Sequence, residues 1–164
     1  MSTKPFPLSR WLLRAGAGIA FLAQASCAQP PPTASVAIPP IPRGEARVWF
    51  YRDLNPYETL ARPYIRMNGG MVGLSEPGGA FYRDVPPGHY HVVAESYLDD
   101  ACQNGDVDLL AGQQAYFKIL PLEHWIPGRG STGDYARHVF CSWIMPPEVA
   151  QAAVARSQFH AGGT

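Results

Sequence analysis

Turn-forming residues recur about 8–12 positions apart through the middle of this 164-residue chain, and this spacing limits what it can fold into. Gly69-Gly70, Pro86-Pro87-Gly88 and Gly112-Gln113 separate short runs rich in Val, Ile and aromatic residues. No strand–helix–strand alternation is present, which argues against a doubly wound parallel sheet. The pattern predicts an all-β fold, an antiparallel β-sandwich of about seven strands in one domain.

The strand-like runs and their connections can be placed along the chain. The runs are 47–52, 63–68, 71–74, 80–85, 89–97, 106–111, 115–120 and 135–145, the last being the longest. Loops are expected at 53–62, after an Asn-Pro breaker, and at 121–134, which is rich in Gly and Pro. Residues 146–159 form the one helix candidate, with Pro in its first turn and Glu148 near its positive end.

Alternation along three of these strands predicts the core. Residues two apart share one face of a strand, so Tyr90, Val92 and Ala94 are expected to point inward together. Phe117 and Ile119 are expected to do the same on a second strand, as are Val139 and Cys141 on the last strand.

The first 28 residues have the pattern of a secretory signal peptide. Three basic residues within positions 1–14 precede the uncharged segment 15–25, which is too short to span a membrane. Small residues before Cys27 fit acylation of that cysteine in a bacterial lipoprotein, although Gln24 does not fit this signal. Lipid-anchored and soluble secreted forms therefore both stay open, and both predict a protein exported to the periplasm or anchored in a bacterial envelope.

Residues 29–44 are rich in Pro and predict a stiff, extended linker between the leader and a folded domain at 45–159, with a tail at 160–164. From residue 27 onward, ten Lys and Arg residues stand against thirteen Asp and Glu residues, a formal net charge of −3. This balance argues against a nucleic-acid partner, since such proteins usually carry a basic surface.

Several short motifs occur in an order typical of one protein family. They are Phe50-Tyr51-Arg52, Asn68-Gly69-Gly70-Met71-Val72-Gly73-Leu74, Phe81-Tyr82, Val85-Pro86-Pro87-Gly88-His89-Tyr90, Ala111-Gly112-Gln113-Gln114-Ala115-Tyr116-Phe117 and Pro147-Glu148. In this order the chain resembles the DUF2846 family of bacterial envelope proteins and lipoproteins over roughly residues 45–159, and is similar to transthyretin-like and PEGA-type β-sandwich modules.

The resemblance implies a β-sandwich and an envelope location, and it carries no catalytic residues. Turns are expected at the Gly and Pro residues of the motifs, namely Gly69, Gly70, Gly73, Pro86, Pro87 and Gly88.

Two cysteines remain after Cys27. In an oxidising compartment, Cys102 and Cys141 are expected to form a disulfide that ties a loop to the last strand. Two free buried thiols are the alternative, because spacing in sequence does not establish proximity.

His89 and His91 form a candidate metal site. On a strand both point to the same side, and Glu95 follows farther along that face, so zinc or copper could bind. The favoured interpretation is that both histidines are half-exposed on an outer face. A calcium site is also a minor alternative to a solvated acidic loop at Asp99, Asp100, Asp106 and Asp108.

Two apparent enzyme motifs are weak. Gly128–Gly133 spells G-x-G-x-x-G but precedes a strand instead of opening a helix, so it does not predict a dinucleotide site. Ser131, Asp134 and His138 are close in sequence, but a catalytic triad requires proximity in space.

These observations favour a non-enzymatic envelope module that uses no cofactor. The two loops at 53–62 and 121–134 are expected to bind a protein or glycan partner, through Tyr57, Trp125 and Arg129 in particular. Contact with a membrane is expected only through a lipid at Cys27. The alternative is a periplasmic metal-binding protein using His89 and His91, and a small hydrolase is a weaker third hypothesis.

Overall fold

The computed structural model describes residues 29–96, 105–126 and 135–161, and for 123–126 and 135–138 it describes the backbone only. These residues form a β-sandwich of two sheets with one short helix. The strands are β1 Ala46–Tyr51, β2 Tyr64–Met67, β3 Gly70–Leu74, β4 Gly79–Val85, β5 Gly88–Ala94, β6 Gly105–Leu109, β7 Gln114–Ile126, β8 Tyr135–Ile144 and β9 Gln158–Phe159, with α1 at Pro147–Arg156.

Sheet A has the strand order β8-β7-β1-β4-β9, and sheet B has the order β3-β2-β5-β6. Most neighbours are antiparallel, as predicted, but β1 pairs with β7 and β4 pairs with β9 in parallel. The parallel pairs join strands that are far apart in sequence, so local turn signals do not reveal them. The sandwich prediction is confirmed, and its purely antiparallel form is wrong.

Aromatic rings from sheet A dominate the space between the sheets. Phe50 stacks on Phe81 and Phe117 with ring centroids 4.9 and 6.0 Å apart. Val92 and Ala94 from β5 meet them from sheet B, as predicted, while Tyr90 packs at the edge of this core. Ile119 also lies in it.

Val139 and Cys141 of β8 are buried, as predicted, but they do not belong to the cluster between the sheets, which Phe140 enters instead. Alternation along the strand places residues 139 and 141 on the opposite face from residue 140.

The glycine-rich turn between β2 and β3 forms a hairpin, as predicted. Its two central residues are Asn68 and Gly69, with φ angles of 47° and 81°, and Gly70 already belongs to β3. Positive φ at both positions is the geometry that a two-residue hairpin needs. Pro86 and Pro87 connect β4 to β5 at Gly88, also as predicted. Gly73, expected in a turn, instead lies inside β3, where a Cβ would overlap the Phe81 ring.

The predicted helix and the second predicted loop are both shorter than expected. The helix ends at Arg156 because Ser157 is extended (φ −67°, ψ 149°), and residues 158–159 then form β9. β7 continues to Ile126 through Pro121 and, not β8, is the longest strand. Proline is tolerated there because beyond Lys118 β7 is paired only with β8.

The Pro-rich segment 29–44 does not behave as a free linker. The amide and hydroxyl groups of Thr33 both donate to the Ser157 carbonyl, at 2.8 and 2.9 Å, and the Phe159 amide donates to the Pro31 carbonyl at 2.8 Å. Ile38 packs with Trp49 and Val154 in a second apolar cluster between sheet A and α1. The described part of the segment is therefore attached to the sandwich.

Gly105 gives a test of the packing between the sheets. A Cβ at position 105 would overlap the ring of the fully buried Phe117. We expect Gly105→Ala to lower the free energy of unfolding by about 1–3 kcal/mol, because overpacking a close-packed core forces the ring to move.

Gly88→Ala is the matched control, since its Cβ would lie 3.8 Å from the Tyr90 ring, an ordinary contact. Urea unfolding of both variants is the measurement. Equal stability of the two variants would contradict the packing described.

Candidate functional site

The loop that follows β1 is held from inside by an arginine. Arg52 is only 1% exposed, and its guanidinium donates to the backbone carbonyls of Ala61, at 2.7 Å, and Thr59. The same group lies 5.3 Å from the centroid of the Phe140 ring. Burial lowers the pKa of Arg52. One buried cation therefore fixes the far side of the loop against the sandwich.

The near side of the loop is fixed by Asn55. Its side-chain oxygen accepts from the Tyr57 amide at 3.1 Å, and its side-chain amide donates to the Glu58 carboxylate at 2.9 Å. The Glu58 amide donates to the Asn55 carbonyl at 3.1 Å. Such asparagine turns satisfy backbone groups locally without a helix or strand. The loop is thus preformed.

Three apolar side chains of this preformed loop point into solvent. Leu54 is 70% exposed, Tyr57 93% and Leu60 73%. We call these three residues the tip surface. Single exposed apolar residues are common, but three within seven positions of a fixed loop form a patch that usually marks an interaction site.

An open depression of about 500 Å³ adjoins the tip surface. Leu54 and Leu60 form one wall, and Arg62 and Glu76 pair with each other at 3.0 Å in another wall. Gln29 also lines it, at the start of the described residues, where its side chain accepts from Gln158 at 3.5 Å.

Strand direction places the described start of the second predicted loop, residues 121–126 of β7, beyond the end of β1. Because β7 runs parallel to β1, the two strands end on the same side, and Lys118 on β7 pairs with Asp53 at 2.6 Å. The Trp125 backbone lies in β7 opposite Ala136, and its side chain is not described. Arg129 lies outside the described residues.

The structure does not assemble the predicted metal site. His89 and His91 lie on the exposed face of β5, but their Nδ1 atoms face carboxylates of β6, Asp108 at 2.9 Å and Asp106 at 2.7 Å. Glu95 instead pairs with Arg66. Across the described residues, no group of three or more His, Cys, Asp or Glu residues could hold a metal ion. Glu95 therefore does not join the two histidines as a third ligand, and the favoured interpretation of histidines on an exposed face agrees with the structure.

The other sequence candidates divide between described and undescribed parts of the chain. Asp106 and Asp108 belong to β6 and not to an acidic loop, while Asp99 and Asp100 lie outside the described residues. The described residues also do not include Ser131, Asp134 or the glycine motif 128–133. Cys102 lies outside the described residues as well, so the disulfide between Cys102 and the buried Cys141 stays a prediction.

Sequence reasoning selected Tyr57 and missed Arg52, Leu54 and Leu60. Leu54 and Leu60 lie in a segment that Asn55-Pro56 marks as a loop. Leucine is uncommon in a fully solvated loop, so these two residues were the sequence signal for an apolar surface there. Arg52 gave no signal, since its partners are backbone carbonyls that any residue can supply.

Replacing Arg52 should loosen the loop without unfolding the domain. Arg52→Met removes both carbonyl contacts while keeping an apolar stem, so we expect amide exchange at Tyr57, Glu58 and Ala61 to rise about tenfold, which corresponds to about 1.4 kcal/mol of lost local stability.

Hydrogen exchange followed by mass spectrometry or NMR measures this change. Arg66→Met is the control, because Arg66 contacts Glu95 and the Gly69 carbonyl and not the loop. If the loop amides exchange at the same rate in Arg52→Met as in the unsubstituted protein, Arg52 does not anchor the loop.

Comparisons with known proteins identify one family. A family model described as a protein of unknown function (DUF2846) matches residues 42–124, just over half of the chain, and this region includes Arg52 and the tip surface. No curated protein matches the chain. Within its described residues, no helix is long and apolar enough to cross a membrane.

Proposed function

The chain belongs to the DUF2846 family, and we propose that it is a non-enzymatic module of the bacterial cell envelope that docks on another envelope component through the tip surface. The observation that carries this proposal is the preformed loop with Leu54, Tyr57 and Leu60 exposed. A fixed loop binds at a smaller entropic cost than one that must order on binding. Aromatic residues on such loops are common anchors of interfaces.

Two open depressions among the described residues support binding in preference to catalysis. In the depression beside the tip surface, the charged groups of Arg62 and Glu76 pair with each other. A second groove of about 200 Å³ lies beside α1, and apolar residues and glutamine amides make up most of its lining. Neither holds a nucleophile beside a general base, which acid–base or covalent catalysis requires.

Export is the second part of the proposal. The basic and apolar pattern of the first 28 residues directs the chain out of the cytoplasm, and acylation at Cys27 holds it at a membrane. In that oxidising compartment, Cys102 and Cys141 form a disulfide. In the chain-entropy account, a bridge closing a loop of this length stabilises the domain by about 3–5 kcal/mol.

One intact mass tests export, anchoring and the bridge together. We expect protein purified from its native host without reductant to begin at Cys27, to carry acyl chains, and to weigh two hydrogens less than the reduced form.

A chain that begins at Ser26 or Gln29 without lipid would instead establish a soluble secreted protein. Full labelling of Cys102 and Cys141 by a thiol reagent in the unfolded, unreduced protein would exclude the disulfide.

Photo-crosslinking tests docking through the tip surface. A benzophenone amino acid placed at Tyr57 should give a light-dependent product with an envelope component in living cells, because this side chain is the most exposed of the three. The same amino acid at Leu110 is the control, since Leu110 is 67% exposed at the opposite end of the sandwich.

The mass of the product identifies its class as protein, glycan or lipid. Absence of a product at position 57, or the same products at both positions, would contradict docking through the tip surface.

A further inference from the structure

We propose that the component on which the tip surface docks is the lipid surface of the membrane that carries the Cys27 anchor. This inference rests on the proposed function and names the partner of the same site. Three observations carry it: where the chain leaves the sandwich, how short the connection to Cys27 is, and the chemistry of the tip surface.

The chain enters the described domain beside the tip surface. Gln29 lines the same depression as Leu54 and Leu60. The residues that follow are fixed in place, since Pro32 forms a β-bridge with Gln158 and Thr33 is bonded to Ser157. The place where the chain enters the described domain is therefore set by the fold.

The connection between Gln29 and Cys27 is short. Cys27 precedes Gln29 by two residues, and a fully extended chain covers at most about 7 Å over that distance. An acyl group on Cys27 inserts into the bilayer, so this short connection brings the bilayer surface close to the depression and to Leu54 and Leu60. Attached in this way, the domain rests on the membrane and is not held away from it.

The tip surface has the chemistry of a membrane interface. Leu54 and Leu60 offer aliphatic surface, and tyrosine is favoured where apolar and hydrated regions meet. Most neighbouring charges are paired locally, since Arg62 pairs with Glu76 and Lys118 with Asp53, while the Glu58 carboxylate accepts from the Asn55 side chain near the buried cation of Arg52. Docking on lipid therefore depends on apolar insertion and not on attraction to anionic headgroups.

Fluorescence in vesicles tests the inference. The acylated protein is reconstituted into vesicles of phosphatidylethanolamine and phosphatidylglycerol, with an environment-sensitive fluorescent amino acid encoded at position 57, 60 or 110. Genetic encoding needs no thiol reagent, so the acyl group on Cys27 and the proposed Cys102–Cys141 disulfide stay intact.

We expect a blue shift and higher emission at positions 57 and 60 on transfer from detergent-free buffer to vesicles, and no change at Leu110, at the opposite end. The blue shift at positions 57 and 60 should persist in high salt, because paired charges contribute little to docking on the vesicle.

Unchanged emission at positions 57 and 60, or an equal shift at 110, overturns the inference, and so does an intact mass without acyl chains at Cys27. A missing acyl chain also overturns the anchoring part of the proposed function, whereas the vesicle result is distinguishable from failure of docking. If a crosslinker at Tyr57 captures a specific protein or glycan while the vesicle signals stay unchanged, docking through the tip surface stands and the lipid assignment falls.

A second variant checks that the fluorophore does not itself cause insertion. Leu54→Ser combined with Leu60→Ser removes aliphatic surface from exposed positions and should leave folding unchanged. In this background the shift at position 57 should be largely lost. A full shift would show that the leucines are not needed and would overturn the proposal as stated.

Discussion

The structure depends on the burial of β1 on both of its faces. All six residues of Ala46–Tyr51 are buried, with Val48 and Phe50 facing sheet B and Trp49 and Tyr51 under α1. Arg47 precedes the apolar residues 48–51 of this strand, and Arg52 follows them. Arg47 pairs with Asp84 and donates to the Pro39 carbonyl, and the hydrogen bond to Asp84 raises its pKa. Arg52 holds the tip loop. The two arginines thus hold the entering segment and the loop 53–62 against β1.

Local signals in the sequence predicted the strands well, because turns are determined by the residues that form them. The hairpin at Asn68-Gly69 and the turn at Pro86-Pro87 follow from backbone preferences of Gly, Asn and Pro. The parallel pairs and β9 depend instead on partners far away in the chain. The attachment of Thr33 to Ser157 spans 124 positions, and no local pattern indicates such a contact.

The sequence predicted that the candidate site lies in a loop, but it did not predict which side chains that loop exposes. The breaker at Asn55-Pro56 marks residues 53–62 as a connection, and Tyr57 is an evident anchor. In the structure Arg52 donates to the carbonyls of Thr59 and Ala61. Only these contacts indicate that the loop is fixed and that Leu54 and Leu60 share its exposed side. Likewise, alternation placed His89 and His91 on one face correctly, but their neighbours on β6 are set by strand register.

The bonds between Thr33 and Ser157, and between Pro31 and Phe159, join the beginning of the domain to its last strand. During synthesis Ser157 follows Thr33 by 124 positions, so these bonds cannot form until strands β1 to β8 have been made. β9 and the entering segment therefore close the domain last. Closure of the fold by such distant contacts leaves time for a chain to be recognised and translocated while still unfolded, which agrees with the export proposed above.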